Sequence, residues 1–154
     1  MKIGVISDTH NFLDPKVSKL FAGVEHILHA GDIGLPWIIM ELQTIAPVTA
    51  VLGNTDDAGL QFKQMELVEL AGRKFLLHHI VNPRALADPI KSRIARGRPD
   101  AVIFGHTHKP FSETMAGTLY FNPGYAGNSR FGMERSIAIL HCDAKSIRPE
   151  YLKL

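Results

Sequence analysis

The first fifty residues constrain the fold most, because short apolar runs alternate there with spans of helical spacing. Lys2 to Ser7 alternates and is rich in β-branched residues, while His26 to Ala30 and Pro47 to Leu52 are short apolar runs; each ends at a small or polar cluster, as buried strands do. Between them, Asp14 to Phe21 and Pro36 to Ile45 repeat apolar residues at helical intervals. Asp14-Pro15 is a helix start, with a capping carboxylate and a proline that presets the first turn. The resulting β-α-β-α-β order predicts parallel strands joined by right-handed crossovers.

The pattern changes after residue 64. Met65 to Leu70 and Arg73 to His79 flank Ala71-Gly72 at hairpin spacing. A helical run from Arg84 to Arg96 is expected to end at Gly97 as a left-handed cap. Ala101 to Gly105 reads as another buried strand, Phe111 to Met115 and Thr118 to Asn122 flank Ala116-Gly117, and Arg135 to Cys142 and Ile147 to Leu152 supply two more strands. About nine or ten strands would make one sheet very wide, and strongly twisted sheets of that width split, so two packed sheets with helices outside are expected. The 154 residues suit one domain, spanning 1–154, and no repeat or low-complexity segment divides them.

Apolar residues make up 45% and charged residues 21% of the chain, which excludes a disordered segment. No run approaches the roughly 18 apolar residues of a membrane span, and the start lacks the pattern of a signal peptide, so a cytoplasmic location and no membrane partner are expected. The lone Cys142 sits among apolar neighbours and reads as a buried structural thiol. A net charge of +2 without a basic, aromatic-studded stripe argues against a stable nucleic-acid complex.

The eight histidines are the unusual feature, since imidazoles are mostly neutral at pH 7 and free to ligate metals. Asp8 and His10 follow the first expected strand, Asp32 the second and Asn54 the third; His78 lies near the end of another, and His106 and His108 follow Ala101 to Gly105. In open α/β sheets those carboxyl ends form the ligand crevice. Carboxylate, imidazole and amide oxygen together suit Mn²⁺, Fe²⁺, Zn²⁺ or Ni²⁺. Seven candidates exceed one tetrahedral site and suit two divalent ions sharing a carboxylate, an arrangement that clamps a phosphoryl group and acidifies bound water. Gly31, Gly53 and Gly105 each precede a candidate and allow close backbone approach, and Asn11 tolerates a left-handed conformation.

Taken in order, Ser7-Asp8-Thr9-His10, His29-Ala30-Gly31-Asp32, Gly53-Asn54-Thr55-Asp56, the histidine pair at 78, Gly105-His106-Thr107-His108 and Asn122-Pro123-Gly124 resemble the motifs of the calcineurin-like metallophosphoesterases, in particular their small bacterial and archaeal phosphodiesterase branch. The resemblance implies a four-layer α/β/β/α sandwich. It implies Asp8, His10, Asp32 and His108 around one metal and Asp32, Asn54, His78 and His106 around the other, with Asp32 as the bridge and manganese favoured for activity. Asp32, Asn54, His10 and His106 would then carry catalysis of phosphodiester hydrolysis on a small nucleotide or cyclic nucleotide, with a hydroxide between the metals as nucleophile. It also implies self-association into a homodimer or higher homo-oligomer. The alternative is a non-catalytic scaffold, because a eukaryotic trafficking subunit shares the fold.

Three positions depart from the family pattern. Thr55 stands where phosphomonoesterases of the superfamily carry a histidine that protonates the leaving oxygen, which points towards diesters with acidic leaving groups. His78-His79-Ile80 replaces a His-Gly-His; either histidine can be the ligand, and His78 is favoured as the first position after the apolar run. Only one can serve, because neighbours on a strand face opposite ways. Tyr125 replaces the serine often found after Asn-Pro-Gly and is expected to shape the substrate mouth. His26, His29 and His141 are read as structural, with His29 a candidate to orient a ligand, and Asp56 as a turn residue that can also steady Asn54 or a histidine. Trp37, Ile38, Ile39 and Leu42 are read as core.

Overall fold

Strand β1 (Lys2–Ile6) sets the plan, because its two faces are both buried and meet different partners. Ile3 and Val5 enter one core and Ile6 another, and the face bearing Gly4 lies so close to the Phe21 ring that a Cβ there would sit 3.0 Å from it. In this computed structural model, which describes residues 1–57, 59–130 and 132–154, the elements run α1 (Lys16–Leu20), β2 (His26–His29), α2 (Trp37–Gln43) and β3 (Val48–Ala50) after β1. Then come β4 (Met65–Leu70), β5 (Arg73–His78), α3 (Ile90–Gly97), β6 (Ala101–Ile103), β7 (Phe111–Met115), β8 (Thr118–Asn122), β9 (Ser136–Cys142) and β10 (Ile147–Lys153).

The strands form two five-stranded sheets, ordered β10-β9-β1-β2-β3 and β4-β5-β6-β8-β7. Strands β1, β2 and β3 are parallel, β9 and β10 add antiparallel to them, and the second sheet mixes parallel β5-β6-β8 with antiparallel edges. Three cores separate four layers. Val17, Ile38, Ile39 and Leu42 of α1 and α2 pack with Ile6, Ile27 and Ile137 on the outside of the first sheet. Ile3, Val5 and Leu28 meet Phe75, Leu77, Ile103 and Phe121 between the sheets, and α3 covers the second sheet through Ile90 and Ile94 against Leu76, Val102 and Tyr120. Each fully buried aliphatic side chain contributes roughly 1.5–3 kcal/mol, so the middle core ties the halves together. This is the expected α/β/β/α sandwich.

Both predicted hairpins form. Ala71 and Gly72 have φ of 53° and 71°, and Ala116 and Gly117 have 49° and 80°, the paired positive values of a type I′ turn. Helix α3 is shorter than Arg84 to Arg96, because Pro89 lacks an amide hydrogen and the regular turns begin only after it. Asp88 Oδ1 accepts from the Ser92 amide at 3.0 Å, so the Asp-Pro start that marks α1 recurs here. The left-handed cap is Arg98 (φ 46°) and not Gly97, which stays helical where a Cβ would press on Leu67 at 3.3 Å. Trp37 is 40% exposed, unlike its buried neighbours Ile38, Ile39 and Leu42. Cys142 is buried and free, with its thiol pushed up to about 11 by burial. Among the described residues, no helix is long and apolar enough to cross a membrane.

Candidate metal centre

The loops after β1 and β2 run side by side and zip together: the amides of Asp8, His10 and Asn11 donate to the carbonyls of Gly31, Asp32 and Ile33 at 3.0–3.2 Å. His29 lies fully buried beneath them. Its Nδ1 accepts from the Gly31 amide at 3.2 Å and its Nε2 lies 3.0 Å from Thr9 Oγ1, which itself donates to the Ile33 carbonyl at 2.8 Å. Burial drives the His29 imidazole down to about 3, so the ring stays neutral and acts as a cross-brace.

That scaffold holds strained backbone. Nine non-glycine residues among those described have positive φ, and six of them (Asp8, His10, Asn11, Asp32, His106 and His108) cluster here. The remaining three are the two hairpin alanines and the cap of α3. Left-handed conformations cost non-glycine residues about 1–3 kcal/mol each and persist where surrounding structure over-determines them.

The strained loops converge on a set of polar atoms. Asp8 is fully buried; its Oδ2 accepts from Ser7 Oγ at 2.7 Å and the His106 amide at 3.1 Å. Its Oδ1 has no hydrogen-bond partner among the described residues and faces His108 Nε2 at 3.2 Å, His10 Nε2 at 3.8 Å and His79 Nε2 at 3.9 Å. Asp32 Oδ1 accepts from the Thr55 amide at 2.9 Å, while Oδ2 lies 3.2 Å from His79 Nε2 and 3.6 Å from His10 Nε2. Asn54 Oδ1 and His106 Nδ1 approach to 3.0 Å. Asp8, His10 and His108 offer atoms all within 4.8 Å of one another, as do Asp8, Asp32 and His79.

The second histidine of the pair at 78 enters this cluster, and the favoured His78 does not. Strand parity is the reason: Phe75 and Leu77 face the other sheet, so the chain presents His79 to Asp8 and Asp32 on the same side. His78 instead pairs its Nδ1 with the Gln64 carbonyl at 2.7 Å. His79 Nδ1 donates to the Ala30 carbonyl at 2.7 Å, which leaves Nε2 aimed at the carboxylates. Asp8, His10, Asp32, Asn54, His106 and His108 stand together with His79.

Buried carboxylates facing imidazole nitrogens form a cluster that could hold a metal ion. Burial pushes the Asp8 carboxyl up against the opposing pull of Ser7 and the histidines. The Asp32 carboxyl would also rise by burial, but the His79 imidazole 3.2 Å away and the bond from the Thr55 amide hold it far below the usual carboxylate range. His79 would fall by burial, yet Asp32 and Asp8 raise it. His10 is lowered by burial. The orphaned Asp8 Oδ1, His10 Nε2 and His79 Nε2 have the composition and convergence of divalent-metal ligands.

Neighbouring groups fix the cluster. The Asp56 carboxylate accepts from the amides of Ile33, Gly34 and Gly53 at 2.8–3.1 Å, clamping the loop after Asp32 to the loop that carries Asn54; it steadies backbone and not a ligand side chain. Asn122 Nδ2 donates to the Gly105 carbonyl at 2.9 Å and to Thr107 Oγ1 at 3.1 Å, shaping the loop between His106 and His108. Gly105 is required because a Cβ would collide with Ser7 Oγ and lie 2.6 Å from Asp8 Oδ2. Tyr125 is wholly buried, with its ring 4.7 Å from that of His108 and its hydroxyl donating to the Asn128 carbonyl at 2.9 Å. It supports the site from below and does not form the mouth. Arg130 escaped the sequence reading: its guanidinium lies 5.5 Å over the Tyr125 ring and its charge helps depress His10. A lone cation eight residues beyond Asn122 was the available signal.

The family model for the calcineurin-like phosphoesterase superfamily domain matches residues 1–145. A probable metallophosphoesterase of Methanothermobacter thermautotrophicus is 35% identical, with 99% of this chain and 92% of the relative covered. A phosphodiesterase of Methanocaldococcus jannaschii is 31% identical over 96% of this chain and 97% of its own. Among solved structures, an archaeal phosphodiesterase superposes with a TM-score of 0.78 at 28% identity, covering 99% of this chain and 100% of that one. A single mutant of Vps29 of Entamoeba histolytica superposes at a TM-score of 0.77 with 19% identity, covering 100% of this chain and 99% of that one, a likeness of fold.

Proposed function

Since the chain belongs to the calcineurin-like phosphoesterase superfamily, we propose that it hydrolyses phosphodiester bonds in small nucleotide or cyclic-nucleotide substrates with two divalent ions, manganese being favoured for activity. The observation that carries this reading is the convergence of three buried polar atoms, Asp8 Oδ1, His10 Nε2 and His79 Nε2, that lack hydrogen-bond partners among the described residues. Asp8, His10 and His108 would hold one ion and Asn54, His79 and His106 the other. Asp32 would serve both, as its Oδ2 faces His10 and His79 alike. Such a pair clamps a phosphoryl group and lowers the pKa of water from about 15.7 towards 7.

The chain's own residues supply position and charge. Asn54 is exposed at the cluster's edge, where its amide can meet a phosphate oxygen. Arg130 adds a cation that a phosphodiester anion would approach. Thr55 is exposed and contributes its amide to Asp32, and its hydroxyl is no proton donor near neutral pH. A missing general acid typically costs about 10²–10⁴ in rate, a loss that matters least for acidic leaving groups. The reading therefore favours aryl diesters over alkyl monoesters.

A non-catalytic scaffold is the second reading, favoured only by the likeness of fold to Vps29. A scaffold has no use for six strained residues around orphaned ligand atoms. The test is hydrolysis of bis(p-nitrophenyl) phosphate by manganese-loaded protein and its Asp32→Asn variant. Turnover by the first and its loss in the second are expected, whereas no turnover by the first, or equal turnover by both, refutes the proposal.

A further inference from the structure

A cavity of about 500 Å³ opens beside the metal centre and shares His106 with it. Its walls continue the two segments that bear candidate ligands: Ile80, Val81 and Pro83 follow His79, and Phe104, Pro110 and Phe111 flank the loop of His106 and His108. Phe104 is buried and forms the floor, with the Phe111 ring 5.9 Å away and tilted by 55°. Ile80 is 46% exposed, an apolar side chain left at the opening. Asn82, Thr107 and Lys109 add polar groups to the same lining.

We infer that this groove receives the nucleobase end of a nucleotide whose phosphate sits at the metal centre. The inference rests on the two-metal phosphoesterase reading and assigns the groove to one ester arm of that substrate. Two smaller cavities also adjoin the centre, of about 390 Å³ beside His108 and about 290 Å³ beside Asn54 and His79, and the groove beside His106 is the largest and the most apolar of the three. The volume lies within the usual range of about 300–1,000 Å³ for small-molecule sites. Aromatic and aliphatic walls accept the face of any base, while an amide, a hydroxyl and an ammonium can meet the polar edge that a base has and an alkyl chain lacks.

Calorimetric titration with manganese present tests the assignment without requiring turnover. The ligands are adenosine 5′-monophosphate, ribose 5-phosphate and hexyl phosphate. The nucleotide is expected to bind roughly tenfold more tightly than ribose 5-phosphate, from the usual gain on stacking a base. Ile80→Gln, a neutral change at an exposed position, and Phe111→Leu, which keeps an apolar side chain but removes the aromatic face, should each shrink that advantage to about twofold. Both should leave ribose 5-phosphate affinity unchanged. Equal affinity of the nucleotide and ribose 5-phosphate, tightest binding by hexyl phosphate, or an advantage that survives both substitutions overturns the assignment. Failure to hydrolyse bis(p-nitrophenyl) phosphate would strike the catalytic reading and leave this binding result standing.

Discussion

The two ends of the sandwich use similar residues to opposite effect. At the amino ends of β5 and β6, Asp100 is fully answered: Oδ1 accepts from Arg73 Nη1 and Oδ2 from the Lys74 amide, both at 2.8 Å. Arg73 also donates to the Ala144 carbonyl at 2.8 Å, joining the second sheet to the turn between β9 and β10. At the carboxyl ends, Asp8 and Asp32 face histidine Nε2 atoms, and three buried atoms have no partner among the described residues. A carboxylate is closed off by its partners at one end and left open at the other. Unsatisfied convergence, and not the presence of charged residues, distinguishes a ligand site from a structural ion pair.

Substitutions that disturb the open end should have the largest effects. Gly105→Ala puts a Cβ into Ser7 and Asp8 on the loop bearing His106, so manganese-dependent hydrolysis should fall by more than roughly 100-fold, beyond the loss of an outer partner. Near-normal activity would show that the loop relaxes freely. Asp56→Asn should weaken metal binding by about 10–100-fold, because the carboxylate that joins the Asp32 and Asn54 loops loses charge and one amide partner. Unchanged affinity in a metal titration would remove Asp56 from the account.

The brace below the site predicts a pH dependence. The folded pKa of His29, about 3, lies below its unfolded value near 6.5. Below pH 6.5 the unfolded chain takes up a proton that the folded ring refuses, so stability falls as pH drops towards 3, by up to about 1.4 kcal/mol per pH unit. Denaturant unfolding of metal-free protein should show that slope, and His29→Gln should flatten it. A slope unaltered in the variant would mean that His29 is not held neutral.

The closed end should respond least. Asp100→Asn is expected to cost no more than about 1 kcal/mol, since the ion pair is partly exposed, and to leave hydrolysis unaffected. Because Arg73 and the Lys74 amide hold this carboxyl below its ordinary value, the stability difference should persist above pH 4 and vanish as pH falls below it. A loss of activity would erase the contrast between the ends.

Much of this was legible in the sequence where the residues speak through local rules. Alternation and turn residues located both hairpins and the order of the strands, and six of the seven residues expected at the site meet there. The exception depended on parity: His78 and His79 are chemically alike, and choosing between them requires knowing that Phe75 and Leu77 face the other sheet. Tyr125 was misplaced because a phenol suits a rim or a core equally, and only packing against His108 decides. Arg130 acts on His10, and the Asp56 clamp on Ile33 and Gly34, across segments distant in sequence, so no local pattern exposes these effects. Thr55 was readable as a missing proton donor, and its amide bond to Asp32 emerges only from the fold.

Metal stoichiometry in three proteins tests the central claim most directly. After loading with manganese and removal of excess, elemental analysis should find two ions per chain in the wild type and in His78→Ala. It should find one or fewer in His79→Ala. No retained metal in the wild type, or loss of metal from His78→Ala with full retention by His79→Ala, would contradict the account.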